Sequence, residues 1–178
     1  MKQNLFAAAV IVLLSSFIVP FKKIDITSAF PYFEYSFAAA SSDGTADINL
    51  DKSSAVYQLP KSKTAIPVLN IDGAKSAVRL KKGASEFLVH RVPGTTETPT
   101  DAIGLYKLNA DRKNRSLLLD ATGVISATKV NINLVQVDTY TYKITITGGI
   151  SASGEYAFVE KNMAAANSTL TVWCFGVD

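Results

Sequence analysis

The chain has one cysteine, Cys174, and one histidine, His90, among 178 residues. A single thiol forms no intramolecular disulfide, which excludes a disulfide-stapled scaffold. One imidazole and one distant thiol leave no Cys/His cage for zinc. No cysteine stands just after the N-terminal apolar run, so the acylation site of a lipoprotein is excluded too. A serine hydrolase needs an imidazole beside its nucleophile, and here His90 sits inside Glu86-Phe87-Leu88-Val89-His90-Arg91-Val92, with no G-x-S-x-G elbow anywhere in the chain. His90 reads as an ordinary strand histidine.

Other signatures are missing as well. There is no G-x-x-x-x-G-K-[ST] phosphate loop, and Gly148-Gly149 leads into Ile150-Ser151-Ala152-Ser153 rather than a helix. No D-x-D-x-D-G run marks a calcium loop. Charge of either sign is scarce at 19% of residues, and the formal net charge of +3 implies no particular partner. The basic clusters Lys81-Lys82 and Arg112-Lys113-Arg115 are short, flank turns and lack interleaved aromatics. They read as solvated turns, and no nucleic acid is expected as a partner.

Hydrophobic residues, at 48%, are too frequent for a disordered chain, and the length suits one domain. The first forty residues differ from the rest. Six of the nine phenylalanines, Phe6, Phe17, Phe21, Phe30, Phe33 and Phe37, lie there with few charges. Lys2 followed by the apolar run Leu5 to Val19 has the form of a secretory signal, and its fifteen residues are short for a bilayer crossing. Residues 1–40 are therefore expected to be a signal peptide or signal anchor with a processed leader, and 41–178 the domain. Small residues suited to cleavage occur at Thr27-Ser28-Ala29 and Ala38-Ala39-Ala40, and the second is the better match. Lys22-Lys23 just after the apolar core keeps a retained anchor open. Ala29-Phe30-Pro31-Tyr32-Phe33-Glu34 resembles a type IV pilin processing site, but the long apolar helix a pilin needs is replaced by Pro31 and, soon after, Ser41-Ser42-Asp43-Gly44.

From residue 41 the hydrophobic period is two. Val130, Ile132 and Leu134 alternate with polar residues, as do Tyr142, Ile144 and Ile146. Further runs occur at 48–50, 55–59, 66–71, 77–81, 86–92, 103–108, 116–119, 155–159 and 170–175, separated by turn signals such as Asp72-Gly73, Lys82-Gly83, Ala121-Thr122-Gly123 and Gly148-Gly149. About eleven short strands without an ordinary helix read as an all-β antiparallel sandwich or barrel, and the sandwich, Ig-like or jelly-roll-like, is the fold expected. Asn162 to Ala166 reads as a hairpin loop and Pro93 to Ala102 as a polar excursion. In 170–175 both faces are apolar, which predicts a strand covered on both sides, an inert buried Cys174 and a core Trp173.

Asp101, Asp111, Asp120, Asp138, Glu155 and Glu160 could in principle supply a carboxylate pair for glycoside hydrolysis, but most fall at strand ends or turns. Asn114-Arg115-Ser116 and Asn167-Ser168-Thr169 match the glycosylation sequon. No residue is assigned a catalytic, cofactor-binding or metal-binding role.

One likeness to known proteins is carried by Gly154-Glu155-Tyr156-Ala157-Phe158 and the ending Trp173-Cys174-Phe175-Gly176-Val177-Asp178. This resembles the paired "GEYAF … FGVD" ending of uncharacterised exported bacterial β-sandwich proteins. The resemblance extends to Ala77 to Gly83 and to Glu86-Phe87-Leu88-Val89. Its motifs are structural rather than catalytic, and a family without an assigned activity transfers no active site. Gly154 is expected to admit a sharp turn, Tyr156 to tie the corner through its hydroxyl, and Phe158 to enter the core. The reading is of an exported non-enzymatic module, structural or interacting, in the periplasm, at the cell surface or secreted. Its partner would be an unidentified protein or glycan, with membrane contact only through the N-terminal segment. A carbohydrate or surface-ligand binder using Tyr140 to Thr147 with Pro93 to Ala102 is the alternative, and an envelope glycosidase the third.

Overall fold

The structure is a computed structural model that describes residues 35–40, 47–58, 67–91, 103–119, 128–160 and 169–178. The chain divides after Phe30, and every described residue belongs to the unit Pro31–Asp178. In chain order the strands are β1 (Tyr35–Ala39), β2 (Ile48–Asn49), β3 (Asp51–Gln58), β4 (Val68–Asp72), β5 (Arg79–Leu80), β6 (Glu86–Arg91) and β7 (Ile103–Ala110). They continue with β8 (Asn114–Leu118), β9 (Lys129–Val130), β10 (Asn133–Gln136), β11 (Thr141–Thr145), β12 (Gly154–Glu160) and β13 (Thr169–Val177). No helix occurs among the described residues. The turn glycines Gly73, Gly83, Gly148 and Gly149 all have positive φ.

The expected all-β antiparallel architecture is present, with β5 beside β13 as a parallel pair. The strand pattern left closure open, and the structure decides it. Strands β12, β13, β3, β4, β8 and β7 follow one another, and β7 returns to β12 from Glu155↔Leu108 to Glu160↔Ile103, closing a six-stranded barrel. The predicted sandwich is corrected accordingly, because a period of two tells which face a residue occupies but not whether the last strand meets the first. A separate five-stranded sheet, in the order β10-β11-β6-β1-β2, packs on the outer wall of this barrel.

Two cores result, and β12 and β13 serve both. Ala157, Val159, Val172 and Cys174 point into the barrel with Ala55, Leu69, Ile71, Tyr106, Leu108, Leu117 and Leu119. The alternate residues Tyr156, Phe158, Trp173, Phe175 and Val177 point outward and meet Phe37, Phe87, Val89, Tyr142 and Ile144 of the five-stranded sheet. The expectation of a strand apolar on both faces is thus met in β13, where Cys174 and Trp173 are both buried. Ring centroids lie 4.6 Å apart for Phe37 and Phe158, 4.7 Å for Phe37 and Trp173, and 5.1 Å for Phe87 and Phe175. Such contacts add to the burial of the rings themselves.

The folded unit begins before residue 41, the boundary drawn from composition. Strand β1 pairs along its length with β6, from Tyr35↔Arg91 to Ala39↔Phe87, and with β2 on its other side. Ala38 and Ala39, read as part of a cleavage site, are buried in this strand with Phe37. Its sequence YSFAA shares the Phe and Ala content of the preceding leader, and composition alone assigned it there. The other candidate site, Thr27-Ser28-Ala29, lies outside the described residues, as do the segments 93–102, 121–123 and 162–166.

Candidate functional site

The two segments that carry the GEYAF and FGVD pattern converge on one side chain of the Ala77 to Gly83 segment. Arg79, on β5, donates from Nη1 to Glu155 Oε1 and from Nη2 to Asp178 Oδ1, and its Nε donates to Asp178 Oδ2 at 3.1 Å. Glu155 and Gly176 are cross-strand partners on β12 and β13, and Gly176 pairs with Arg79 in the parallel ladder. A Cβ at Gly176 would occupy the place of the guanidinium, so glycine is what lets Arg79 lie flat on β13. The second oxygen of Glu155 accepts the Ser76 N–H at 2.8 Å, and Ser76 Oγ donates to Asp51 Oδ2 at 3.1 Å. Glu155 is a buried carboxylate held by an arginine and a backbone amide, the condition under which a buried charge is tolerated. Hydrogen bonding to Arg79 holds the Asp178 carboxyl below its ordinary range.

The turn into β12 follows the sequence expectation. Gly154 has φ of 148°, and Tyr156 Oη donates to Ala152 O at 2.8 Å while Phe158 is fully buried. Burial raises the Tyr156 phenol above its usual value. Beside the arginine clamp lies an open cleft of about 490 Å³, lined among others by Lys75, Leu108, Ala110 and Asp111.

Inside the barrel at the same end sits Arg115, 2% exposed, whose Nε donates to Gly73 O at 3.0 Å and whose Nη2 donates to Asp72 O at 3.1 Å. This corrects the reading of Arg112-Lys113-Arg115 as a solvated cluster. Arg112 and Lys113 are exposed in the turn, whereas Arg115 alternates inward with Leu117 on β8. The β-period held the signal, but the three-residue basic run concealed it. Burial pushes the Cys174 thiol up to about 11, against a smaller opposing pull from nearby Arg115. That agrees with the inert thiol read from the apolar strand.

The carboxylates considered for glycoside hydrolysis serve turns and the clamp where they are described. Asp111 accepts the amides of Lys113 and Asn114, each at 2.7 Å, and Asp138 accepts those of Tyr140 and Thr141, each at 2.8 Å. These amide bonds lower both carboxyls below the ordinary aspartate value. Asp101 and Asp120 lie outside the described residues, and Glu160 is described only by its backbone place in β12. Among the described residues no group of three or more His, Cys, Asp or Glu could hold a metal ion.

His90 lies half-buried on the five-stranded sheet, its Nδ1 3.0 Å from Thr141 Oγ1. The face read as rich in Thr and Tyr is only partly so. Thr141, Lys143 and Thr145 share the outer side, but Tyr142 turns into the core, leaving Tyr140 as the exposed ring of that segment. Lys143 is paired with Glu86 at 2.7 Å. In comparisons with known proteins, the chain matches no family model, no curated protein and no solved structure.

Proposed function

We propose that the protein is an exported, non-enzymatic module with a structural or interacting role in the cell envelope or outside the cell. The observation that carries this reading is the use made of its chemically capable side chains. Arg79, Glu155 and Asp178 bind one another, and Asp111 and Asp138 each hold a turn. A glycosidase needs one carboxyl free to donate a proton and another free to attack or to activate water. Support for export comes from the basic start and the apolar run Leu5 to Val19, together with the likeness of the GEYAF and FGVD segments to exported bacterial proteins. Strand β1 adds a condition. Cleavage after Ala40 would remove Phe37 from the core, whereas cleavage after Ala29 leaves the strand in place, so the export reading goes with the earlier site or a retained anchor.

The test is fractionation of the native host with N-terminal sequencing of the recovered protein, followed by assay of that same material on model glycosides and a glycan array. Recovery from the envelope or the medium, a first residue at or before Tyr35 and no turnover are expected. A cytoplasmic protein or a measurable glycosidase activity would overturn the proposal. Saturable glycan binding would replace it with the carbohydrate-binding alternative.

A further inference from the structure

Six large apolar side chains are exposed among the described residues, and three of them, Val135, Val137 and Tyr140, stand together in the hairpin of β10 and β11. Single exposed apolar residues need no explanation, but a group of them at one end of a sheet does. The turn between the strands is closed by its own hydrogen bonds. Val137 N donates to Thr141 O at 2.9 Å, and Asp138 accepts the amides of Tyr140 and Thr141.

Register fixes which end of the sheet this is. Gln136 faces Tyr142, Thr141 faces His90 and Tyr35 faces Arg91, so the hairpin tip and the first residue of β1 lie at the same end. Arg91 N donates to Tyr140 O at 2.7 Å, which sets the backbone of Tyr140 two strand spacings from that of Tyr35, about 10 Å. The exposed Ile48 is at the far end, opposite Ala39, and Val56 and Leu118 belong to barrel strands. The chain therefore enters the sheet beside the apolar tip. In sequence the entry is preceded by Phe30-Pro31-Tyr32-Phe33-Glu34 and, earlier, by Lys22-Lys23 and the apolar run Leu5 to Val19. Fifteen residues separate Val19 from Tyr35, a reach of at most about 50 Å.

We propose that the tip of the β10 and β11 hairpin is a membrane-contact site, whose partner is the headgroup region of the bilayer that takes up the run Leu5 to Val19. The proposal gives the interaction-module reading a lipid partner and rests on export through that run.

Chemistry and tether select this occupant. Tyr140 has an apolar body and a polar end, the form that settles at a bilayer interface, and Phe30, Tyr32 and Phe33 supply similar rings just before the strand. Val135 and Val137 add aliphatic surface at 53% and 59% exposure. Charge at this end is mixed. Arg91 and His90 lie on β6, Lys143 is held by Glu86 at 2.7 Å, and the Asp138 carboxylate is engaged by the turn amides. No sign dominates, so the contact is burial at the interface rather than attraction to anionic lipid. A few half-exposed side chains hold a bilayer weakly from solution, but a short tether makes the step intramolecular and raises its effective concentration.

The experiment uses the full chain reconstituted in phosphatidylcholine vesicles, with a fluorophore on one added cysteine. Cys174 is buried and its thiol is pushed up to about 11, so the added cysteine takes the label. A nitroxide-bearing lipid should quench a label at Val137→Cys and leave one at Thr147→Cys bright. Thr147 is an exposed turn position about 20 Å along the strand from Thr141. High salt should change neither signal. Val135→Ser should lower the ratio of docked to free tip roughly 3- to 10-fold, from the half of the valine side chain that is exposed, with the thermal midpoint of unfolding unchanged. Equal quenching at 137 and 147, quenching at neither, loss of quenching in high salt, or quenching at 137 that Val135→Ser leaves intact would each overturn the proposal. A label at 137 already shielded from water without vesicles would overturn it too, by assigning the tip to the N-terminal segment of this chain or to a second copy. A cytoplasmic location in the host would remove the export reading and leave the vesicle result standing, whereas an exported protein with equal quenching would remove the contact alone.

Discussion

Inside the barrel the packing side chains are nearly all aliphatic, Ala55, Leu69, Ile71, Leu117, Val159 and Val172 among them, with one ring, Tyr106, while between barrel and sheet seven rings, Phe37, Phe87, Phe158, Trp173, Phe175, Tyr142 and Tyr156, pack among aliphatic side chains such as Leu105, Val89 and Ile144. A closed six-stranded barrel has a narrow lumen that small and branched side chains fill. The layer between barrel and sheet takes rings as well as aliphatic side chains. Strands β12 and β13 alternate between the two demands, which is why Ala157 stands next to Phe158 and Cys174 next to Trp173. The difference teaches that residue size along a shared strand follows the layer that each side faces, while hydrophobicity is the same on both.

Deleting 169–178 should have the largest effect, because it strikes both regions. It removes Val172, Trp173, Phe175 and Val177, all buried, and at roughly 1.5 to 3 kcal/mol each the loss is about 6 to 12 kcal/mol. That rivals the whole stability of a typical domain, about 5 to 15 kcal/mol. Calorimetry should find no cooperative transition, and a transition near that of the intact chain would show β13 to be peripheral.

Paired truncations separate the regions next. Phe37→Ala between barrel and sheet should cost about 3 to 5 kcal/mol and Leu69→Ala in the lumen about 2 to 5 kcal/mol. Urea titration should give one transition in each variant, since β12 and β13 belong to both cores. If Phe37→Ala splits the transition in two, sheet and barrel are independent units and the comparison breaks.

Arg79→Ala probes the barrel end and should cost about 3 kcal/mol, because it strands Glu155 in a buried place with the Ser76 amide as its remaining donor. The midpoint in urea would read the loss. A change within experimental error would mean that Glu155 finds another partner.

The smallest effect is expected in acid. Asp111, Asp138 and Asp178 all have carboxyls lowered in the folded chain, the first two by backbone amides and the third by Arg79. A lowered folded pKa contributes stability above the unfolded value, near 3.9, and loses it as pH falls through the folded values. The thermal midpoint should therefore drop on acidification below about pH 4, and Asp138→Asn should make that limb shallower. An acid limb unchanged in this variant would remove Asp138 from the account.

Much of this was legible in the chain, and what was not has physical reasons. Alternation in 142–146 and 170–175 gave face and burial, and the turn glycines and the Tyr156 tie followed from local chemistry. Strand β1 was hidden because Phe37 and its alanines match the apolar leader in composition. The clamp was hidden because Arg79 lies 76 residues from Glu155 and 99 from Asp178, and only the barrel brings them together. Arg115 was hidden by exposed basic neighbours. Barrel closure is a relation between β7 and β12 that neither strand records alone.

The placement of β13 also governs when the chain can fold. It is the last described strand to be synthesised, yet it lies between β12 and β3 in the barrel and supplies rings to the second core. Neither core can close until it has been made, and its partner β3 is separated from it by more than half of the chain. So distant a pairing raises the loop-closure cost of folding. The nascent chain can therefore complete neither core until β13 has left the ribosome, so the native packing of both regions is acquired together.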